Sequence, residues 1–260
     1  MQIVIDADFL IFQVTEGKNV RGNFFPEEEG ESLGDTKYKE PLKPYKKKFH
    51  AAVANLVEEI AVATVCEPWM IEEVKIIFSD PKGNFRGDIY PDYKANRKNG
   101  EGRSELFYHL RKWATKKYTY GKGLEADDVV AWYVREEDYL GVSTDKDLLY
   151  GVPGLWFNSH YMHLNLIDTG EHEAERFNFI QTLAGDPVDN IKGIPRVGHA
   201  TAIKLLEEFG WSWAGVVAAY KSKGLTEEDA ILTKRLVSMD QIKPRKDGKW
   251  KLKMFKPEKR

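Results

Sequence analysis

Three short apolar runs in this chain each lead into an aspartate: QIVI before Asp6, VKIIFS before Asp80 and YLGVST before Asp145. Short runs rich in Val and Ile, bounded by turn residues, are the signature of buried strands. Between them lie segments with helical spacing and good helix formers: FHAAVANLVEEIAVATV (49–65), SELFYHLRKWATKK (104–117) and LEADDVVAWYVREE (124–137). Strands alternating with helices predict an α/β fold, a parallel sheet with helices on both faces. In such sheets the ligand site lies beyond the carboxyl ends of the strands. All three aspartates fall there, and Asp8 and Asp147 follow two residues later. One acid at a strand end is accounted for as a helix cap, which is the favoured reading of Asp8. Several converging on one edge are not, because clustered like charges cost several kcal/mol unless protons or metals neutralise them.

LEADD adds Glu125, Asp127 and Asp128 directly before a run that must be buried. Acids in a first turn complement the helix dipole, which is one reading. The other is that they face a divalent metal. No His cluster accompanies the acids and Cys66 is the only cysteine, so no disulfide or Cys-based zinc site exists within the chain. An oxygen-only donor set suits a hard cation, Mg²⁺ or Mn²⁺.

Charge is segregated. Residues 81–124 hold eleven Lys and Arg against four acids, and residues 241–260 hold nine against two. Basic regions beside an acidic site suit an anionic polymer, although either region alone also reads as a solvated face. The apolar start is broken by Asp6 and Asp8 and has no basic leader, and no run reaches membrane-spanning length, so an intracellular protein is expected. Residues 17–48 read as a long charged loop or insertion.

The second half changes character. HYMHLNLID (160–168) reads as a strand or hairpin and EAERFNFIQTLA as a helix. GDPVDNIKGIPRVGHATAIKLLEEFG (185–210) then brings Asp186 and Asp189, a tight turn around Gly193 and Gly198, and an amphipathic helix. Backbone N–H groups at such a helix start form an anion site. Lys192, Arg196 and Lys204 add charge for nucleic-acid phosphates. An ordinary Gly-containing loop is the competing reading.

Taken together, IVIDADFLIF, FSDPKGNFRGDIYPDYKANR, LEADD, STDKDL and GDPVDNIKGIPRVGHATAIKLL are similar to the 5′-nuclease superfamily of flap endonucleases, polymerase I 5′-nuclease domains and phage 5′→3′ exonucleases. TEEDAILTKRLVSM also resembles the exonucleases of T7-like phages, the group that the motifs together look most like. The resemblance implies a PIN-like nuclease domain over residues 1–175. It also implies a helix–three-turn–helix DNA-binding region with the basic C-terminus over 176–260. It implies two divalent ions held by Asp6, Asp80, Glu125, Asp127, Asp128, Asp145, Asp147, Asp186 and Asp189. Lys94 and Arg97 would act at the scissile phosphate. Arg86, Tyr93, Lys192, Gly193, Arg196, Gly198, Thr201 and Lys204 would contact DNA, with Tyr93 able to stack on a base. The activity implied is metal-dependent 5′→3′ exonucleolytic or flap-endonucleolytic hydrolysis leaving 5′ phosphates. The protein would be a monomer in the cytoplasm of a host cell if of phage origin, with replication or recombination proteins as further partners.

Four departures are visible. Ala7 follows Asp6 where glycine is common, and Asp8 stands where many relatives have a hydroxyl residue. Arg196 stands where the hairpin usually has glycine, which bears on any K⁺ bound there. The segment 97–124, corresponding to the arch, is short. Two alternatives stay open: a catalytically inactive DNA-binding relative, and a haloacid-dehalogenase-type phosphatase with Asp6 as nucleophile.

Overall fold

The computed structural model describes residues 1–16, 42–97, 103–160 and 165–257. The first half runs β1 (Gln2–Asp6), α1 (Asp8–Glu16), α2 (Leu42–Ala63), β2 (Glu73–Phe78), α3 (Phe85–Ile89), α4 (Glu105–Lys117), β3 (Thr119–Tyr120), α5 (Ala126–Glu137), β4 (Leu140–Ser143) and α6 (Lys146–Leu149). It continues through β5 (Gly154–Asn158), β6 (Asn165–Thr169) and α7 (Glu171–Ala184) to the two-residue strands β7 (Gly185–Asp186) and β8 (Ile191–Lys192). Then come α8 (His199–Phe209), α9 (Trp213–Ser222), α10 (Glu227–Val237), β9 (Ile242–Pro244) and β10 (Trp250–Leu252).

The main sheet has the order β3-β2-β1-β4-β5-β6, parallel except for the β5–β6 pair. A parallel partner needs a long crossover, which the short β5–β6 connection cannot supply, so β6 returns antiparallel. Strand alternation divides the core. Ile3 and Ile5 of β1 pack with Leu10, Phe49, Leu56 and Leu110 from α1, α2 and α4. Val4, between them, packs on the opposite face with Val129, Val130 and Trp156. Each such buried aliphatic contributes about 1.5–3 kcal/mol relative to exposure. Helices α7 to α10 build a separate core around Leu183, Leu206, Val216 and Tyr220.

Several expectations are corrected. Helix α2 starts at Leu42, so the KPYKKK stretch is helical rather than loop. Lysine is a good helix former, and Leu42 and Tyr45 give this turn an apolar side against the core. Residues 17–41 of the expected loop lie outside the described residues. In the segment read as an arch, 98–102 lie outside the description, while α4 buries Leu106, Phe107, Leu110 and Ala114 and so is core rather than a free span. In HYMHLNLID, residues 161–164 lie outside the description, and β6 supplies the remainder. The boundary expected at 175/176 falls inside α7. The C-terminal hairpin β9–β10 packs on α5 through Ile242 and Trp250, whose ring lies 5.1 Å from that of Trp132. No helix among the described residues is long and apolar enough to cross a membrane.

Candidate active site

Strand order reverses at β1. The chain steps outward through β2 and β3 on one side and through β4 and β5 on the other. The crevice beyond the carboxyl ends of β1 and β4 is therefore the switch point where such sheets bind ligands. Asp6 ends β1, and Asp145 lies just past β4 as the N-cap of α6. Ser143 links them: its hydroxyl donates to Asp6 (3.4 Å) and accepts the Asp145 N–H (3.1 Å). The start of α5 arrives from below, fixed by the Ala126 N–H on Ser79 Oγ (2.9 Å), and delivers Glu125 and Asp127.

The electrostatics mark this cluster. Burial, with Asp8 and Asp145 nearby, pushes the Asp6 carboxyl up to about 7. Asp127 is raised well above the carboxylate range by burial and by Asp6, Asp145 and Glu125. Burial also acts against the charge of Glu125, but Lys94 and Arg86 outweigh it and hold this group below its ordinary value. Lys94 pairs with Glu125 and lies 3.5 Å from Asp189. It sits at φ 57°, a left-handed conformation that costs a non-glycine residue about 1–2 kcal/mol. Its N–H on the Asp189 carbonyl (2.8 Å) holds it there. Arg97 pairs with Asp189.

A second acidic group adjoins the first. Asp147 is pushed up to about 6 by burial and Asp145. Lys146 reaches both Asp147 (3.0 Å) and Asp186 (3.5 Å), and Gln181 donates to Asp147 at 2.6 Å. Lys146 was legible within STDKD, flanked by acids. Gln181, 34 residues away on α7, and Ser143 carry no local signal.

The donor set fits a hard divalent cation in chemistry: it is all oxygen, crowded, and proton-hungry where it is buried. Among the described residues, no three His, Cys, Asp or Glu side chains converge into a closed ligand set. Lys94 and Lys146 bridge the acids instead.

Four expected site residues are placed elsewhere. Arg86, expected on DNA, is 0% exposed. Its guanidinium grips Asp128 at 2.7 and 2.8 Å and reaches Glu125 (3.3 Å), the Leu236 carbonyl (2.8 Å) and the Ser238 carbonyl (3.0 Å). Asp128, expected on metal, spends both oxygens on Arg86 and also accepts the Glu125 N–H (3.2 Å). Asp80 accepts the N–H groups of Lys82 (2.9 Å) and Gly123 (2.7 Å), which ties it to its own loop and to the turn that leads into Glu125. Tyr93, expected to stack on a base, is half-buried, with its hydroxyl donating to Glu125 (2.7 Å) and Asp189 (3.1 Å). The helix-start reading of LEADD holds for Asp128. Asp128 caps the helix start, while Glu125 and Asp127 face the crevice acids.

Around the start of α8, Lys192, Arg196, Gly198, Thr201 and Lys204 are all exposed. Gly198 is the N-cap, and a Cβ added there meets nothing within 4 Å. Gly193 differs from its expected role: a Cβ would stand 2.4 Å from backbone atoms of Ala184 and Gly185, so it serves close packing. Arg196 takes φ 64°, the conformation a glycine would adopt at this turn.

No protein-family model matches the chain. It is 33% identical over 150 residues to DNA polymerase I of Rhizobium leguminosarum, covering 52% of this chain and 15% of that protein. It is 33% identical over 157 residues to a 5′-3′ exonuclease of Buchnera aphidicola subsp. Schizaphis graminum, covering 53% of each. The chain thus spans about half, or less, of the length of these relatives. Its fold matches the T5 D15 protein co-crystallised with metal ions at TM-score 0.62 and 18% identity, over 92% of this chain and 89% of that one. A T5 D15 flap endonuclease complex with DNA and metal ions matches at TM-score 0.59 and 17% identity, over 92% and 89%.

Proposed function

We propose that the chain belongs to the 5′-nuclease superfamily and is a divalent-metal-dependent 5′→3′ exonuclease that also cuts flapped DNA, leaving 5′ phosphates. The observation that carries the reading is the acid cluster at the switch point, buried Asp6 and half-buried Asp127 beside exposed Asp145, with Lys94 next to it. Asp6, Glu125, Asp127 and Asp145 would hold one ion, and Asp147, Asp186 and Asp189 a second. Bound there, Mg²⁺ or Mn²⁺ would supply Lewis acidity for the attacking water and the leaving 3′ oxygen.

The chain's own residues would do the positioning. Lys94 and Arg97, now paired with Glu125 and Asp189, would turn to the scissile phosphate and offset the charge that builds on its oxygens. Tyr93 would keep Glu125 and Asp189 in register through its shared hydroxyl. Gln181 and Ser143 would orient Asp147 and Asp6. Asp80 would shape the turn leading into Glu125, and Arg86 with Asp128 would fix the start of α5. The exposed N-terminus of α8, with Lys192, Arg196, Thr201 and Lys204, would hold duplex phosphates several nucleotides from the cut. A K⁺ ion at this hairpin belongs to the same proposal, as does monomeric action. The phosphatase alternative has no use for α8 or for the Lys94–Arg97 turn, and neither relative above is a phosphatase.

Linear duplex DNA labelled at either end, incubated with Mg²⁺ or with EDTA, tests the reading. Early release of short 5′-labelled products only with Mg²⁺, abolished by Asp145→Ala, is the expected result. DNA that is bound but never cut with Mg²⁺ or Mn²⁺ would leave an inactive DNA-binding relative.

A further inference from the structure

Away from the acidic crevice, a cavity of about 400 Å³ lies in the seam between the sheet and helices α7, α9 and α10. Lys234 of α10 lines it and is only 9% exposed. Among the described residues its ammonium has no hydrogen-bond acceptor and no ion-pair partner. Its nearest carboxylates, Asp240 and Glu175, are both exposed and screened by water. Burial accordingly pushes this amine below its ordinary value. A buried ammonium with no partner is costly, and such groups are normally paired. The wall beside it is aromatic. The rings of Trp213 and Phe255 stand 4.7 Å apart, edge to face, and Lys234 lies 5.9 Å from the Phe255 ring. Val152 and Phe179 add apolar surface, half-buried Arg135, paired with Glu136, adds a second cation, and exposed Glu171, Glu175 and Asp240 also line the cavity.

We propose that this cavity is a binding site for a small aromatic anion: a flat ring bearing one carboxylate or phosphate, with the anion on Lys234 and the ring against Trp213 and Phe255. The volume lies within the range of small-molecule pockets. An anion there gives Lys234 the acceptor it lacks, and a ring packs on the aromatic wall of Trp213 and Phe255. The site does not depend on the nuclease reading, since none of its lining residues belongs to the acidic crevice. It is linked to that crevice through α7. Asn178, on the cavity wall, bonds the Gly151 carbonyl (2.7 Å), and Gln181, one turn on, holds Asp147.

Tryptophan fluorescence, read in EDTA, would follow titration with benzoate, phenyl phosphate and deoxyadenosine monophosphate. Inorganic phosphate and benzyl alcohol serve as half-ligands. Saturable quenching by at least one aromatic anion is expected, with both half-ligands at least about tenfold weaker. Lys234→Met should weaken that binding at least about tenfold, consistent with the loss of a charge-assisted bond, and should raise the metal-free melting temperature. Phe255→Leu, which keeps the charge, should weaken the aromatic anions while leaving inorganic phosphate unchanged. Tighter binding of the nucleotide than of benzoate would identify a phosphate monoester as the ligand, and the reverse a free aromatic acid. The proposal is overturned if no aromatic anion saturates, if a half-ligand binds as well as the whole, or if Lys234→Met binds unchanged.

Discussion

Asp6 and Asp147 hold protons in the folded chain at a pH where the unfolded chain has released them. Their ordinary value is 3.8, and in the fold they titrate at about 7 and about 6. A carboxyl raised by folding contributes no penalty below about pH 4. Stability then falls as pH climbs towards each folded value, because the unfolded state binds fewer protons over that window. The metal-free protein should therefore melt lower at pH 8 than at pH 5, by roughly 5 °C. Asp6→Asn should flatten much of that slope, and millimolar Mg²⁺ should restore the wild-type melting point at pH 8. A wild-type melting point that does not move between pH 5 and 8 would mean the acids do not share one crowded charge. Arg196 offers a different test at the same scale. Its φ of 64° suits glycine, so Arg196→Gly should stabilise the fold by about 1 kcal/mol in urea denaturation. The same change should weaken DNA binding through the lost charge. If urea titration shows a loss of stability instead, the arginine side chain holds the turn rather than straining it.

At the scale of elements, Arg86 joins what the sequence keeps far apart. It ties the start of α5 to the end of α10 through partners 42, 150 and 152 residues away. Breaking a buried pair leaves an uncompensated charge, so Arg86→Met should cost about 3–5 kcal/mol. The double change Arg86→Met with Asp128→Leu removes both charges and should recover most of that loss. Equilibrium denaturation of the two variants decides it, and a double variant as unstable as the single one would show that the backbone carbonyl bonds matter more than the charge. The same long reach explains what the sequence left hidden. The strands leading to Asp6, Asp80 and Asp145 were legible because apolar runs and terminal acids are local patterns, and the meeting of Asp6 and Asp145 follows from parallel-sheet topology. Helix α8 was legible from its Gly-bounded turn. Nothing local in FRGD shows that Arg86 is buried, and nothing in LEADD shows that Asp128 turns from its neighbours to meet it. β5 has five residues, only three of them apolar side chains in a row, and β3 has two, too short for periodicity to register. Helix α10 starts with a capping box of Thr226 and Asp229.

Over the whole molecule, the basic stretches identified in the sequence meet different fates. The first contributes Lys94 and Arg97 to the acidic crevice and Arg86 to the interior, so part of its charge is already matched by carboxylates. The last is anchored on α5 by Ile242 and Trp250, with Lys243, Arg245, Lys251 and Lys253 left exposed. Between them the start of α8 presents Lys192, Arg196 and Lys204 around open backbone N–H groups. Each phosphate that a side chain neutralises adds about 0.9 to the slope of log affinity against log salt. If α8 carries the duplex, replacing Lys192, Arg196 and Lys204 together by alanine should lower that slope by about 2 to 3, with affinity falling at low salt. Replacing Lys243, Arg245, Lys251 and Lys253 together should lower it less, because the flat hairpin offers charge without a helix terminus to fix a phosphate. Asp145→Ala should leave the slope unchanged, since it removes an acid from the crevice rather than a phosphate contact. Filter binding over a salt series on one duplex measures all three. A larger drop for the C-terminal set than for the α8 set would move the duplex track onto the hairpin and overturn the role assigned to α8.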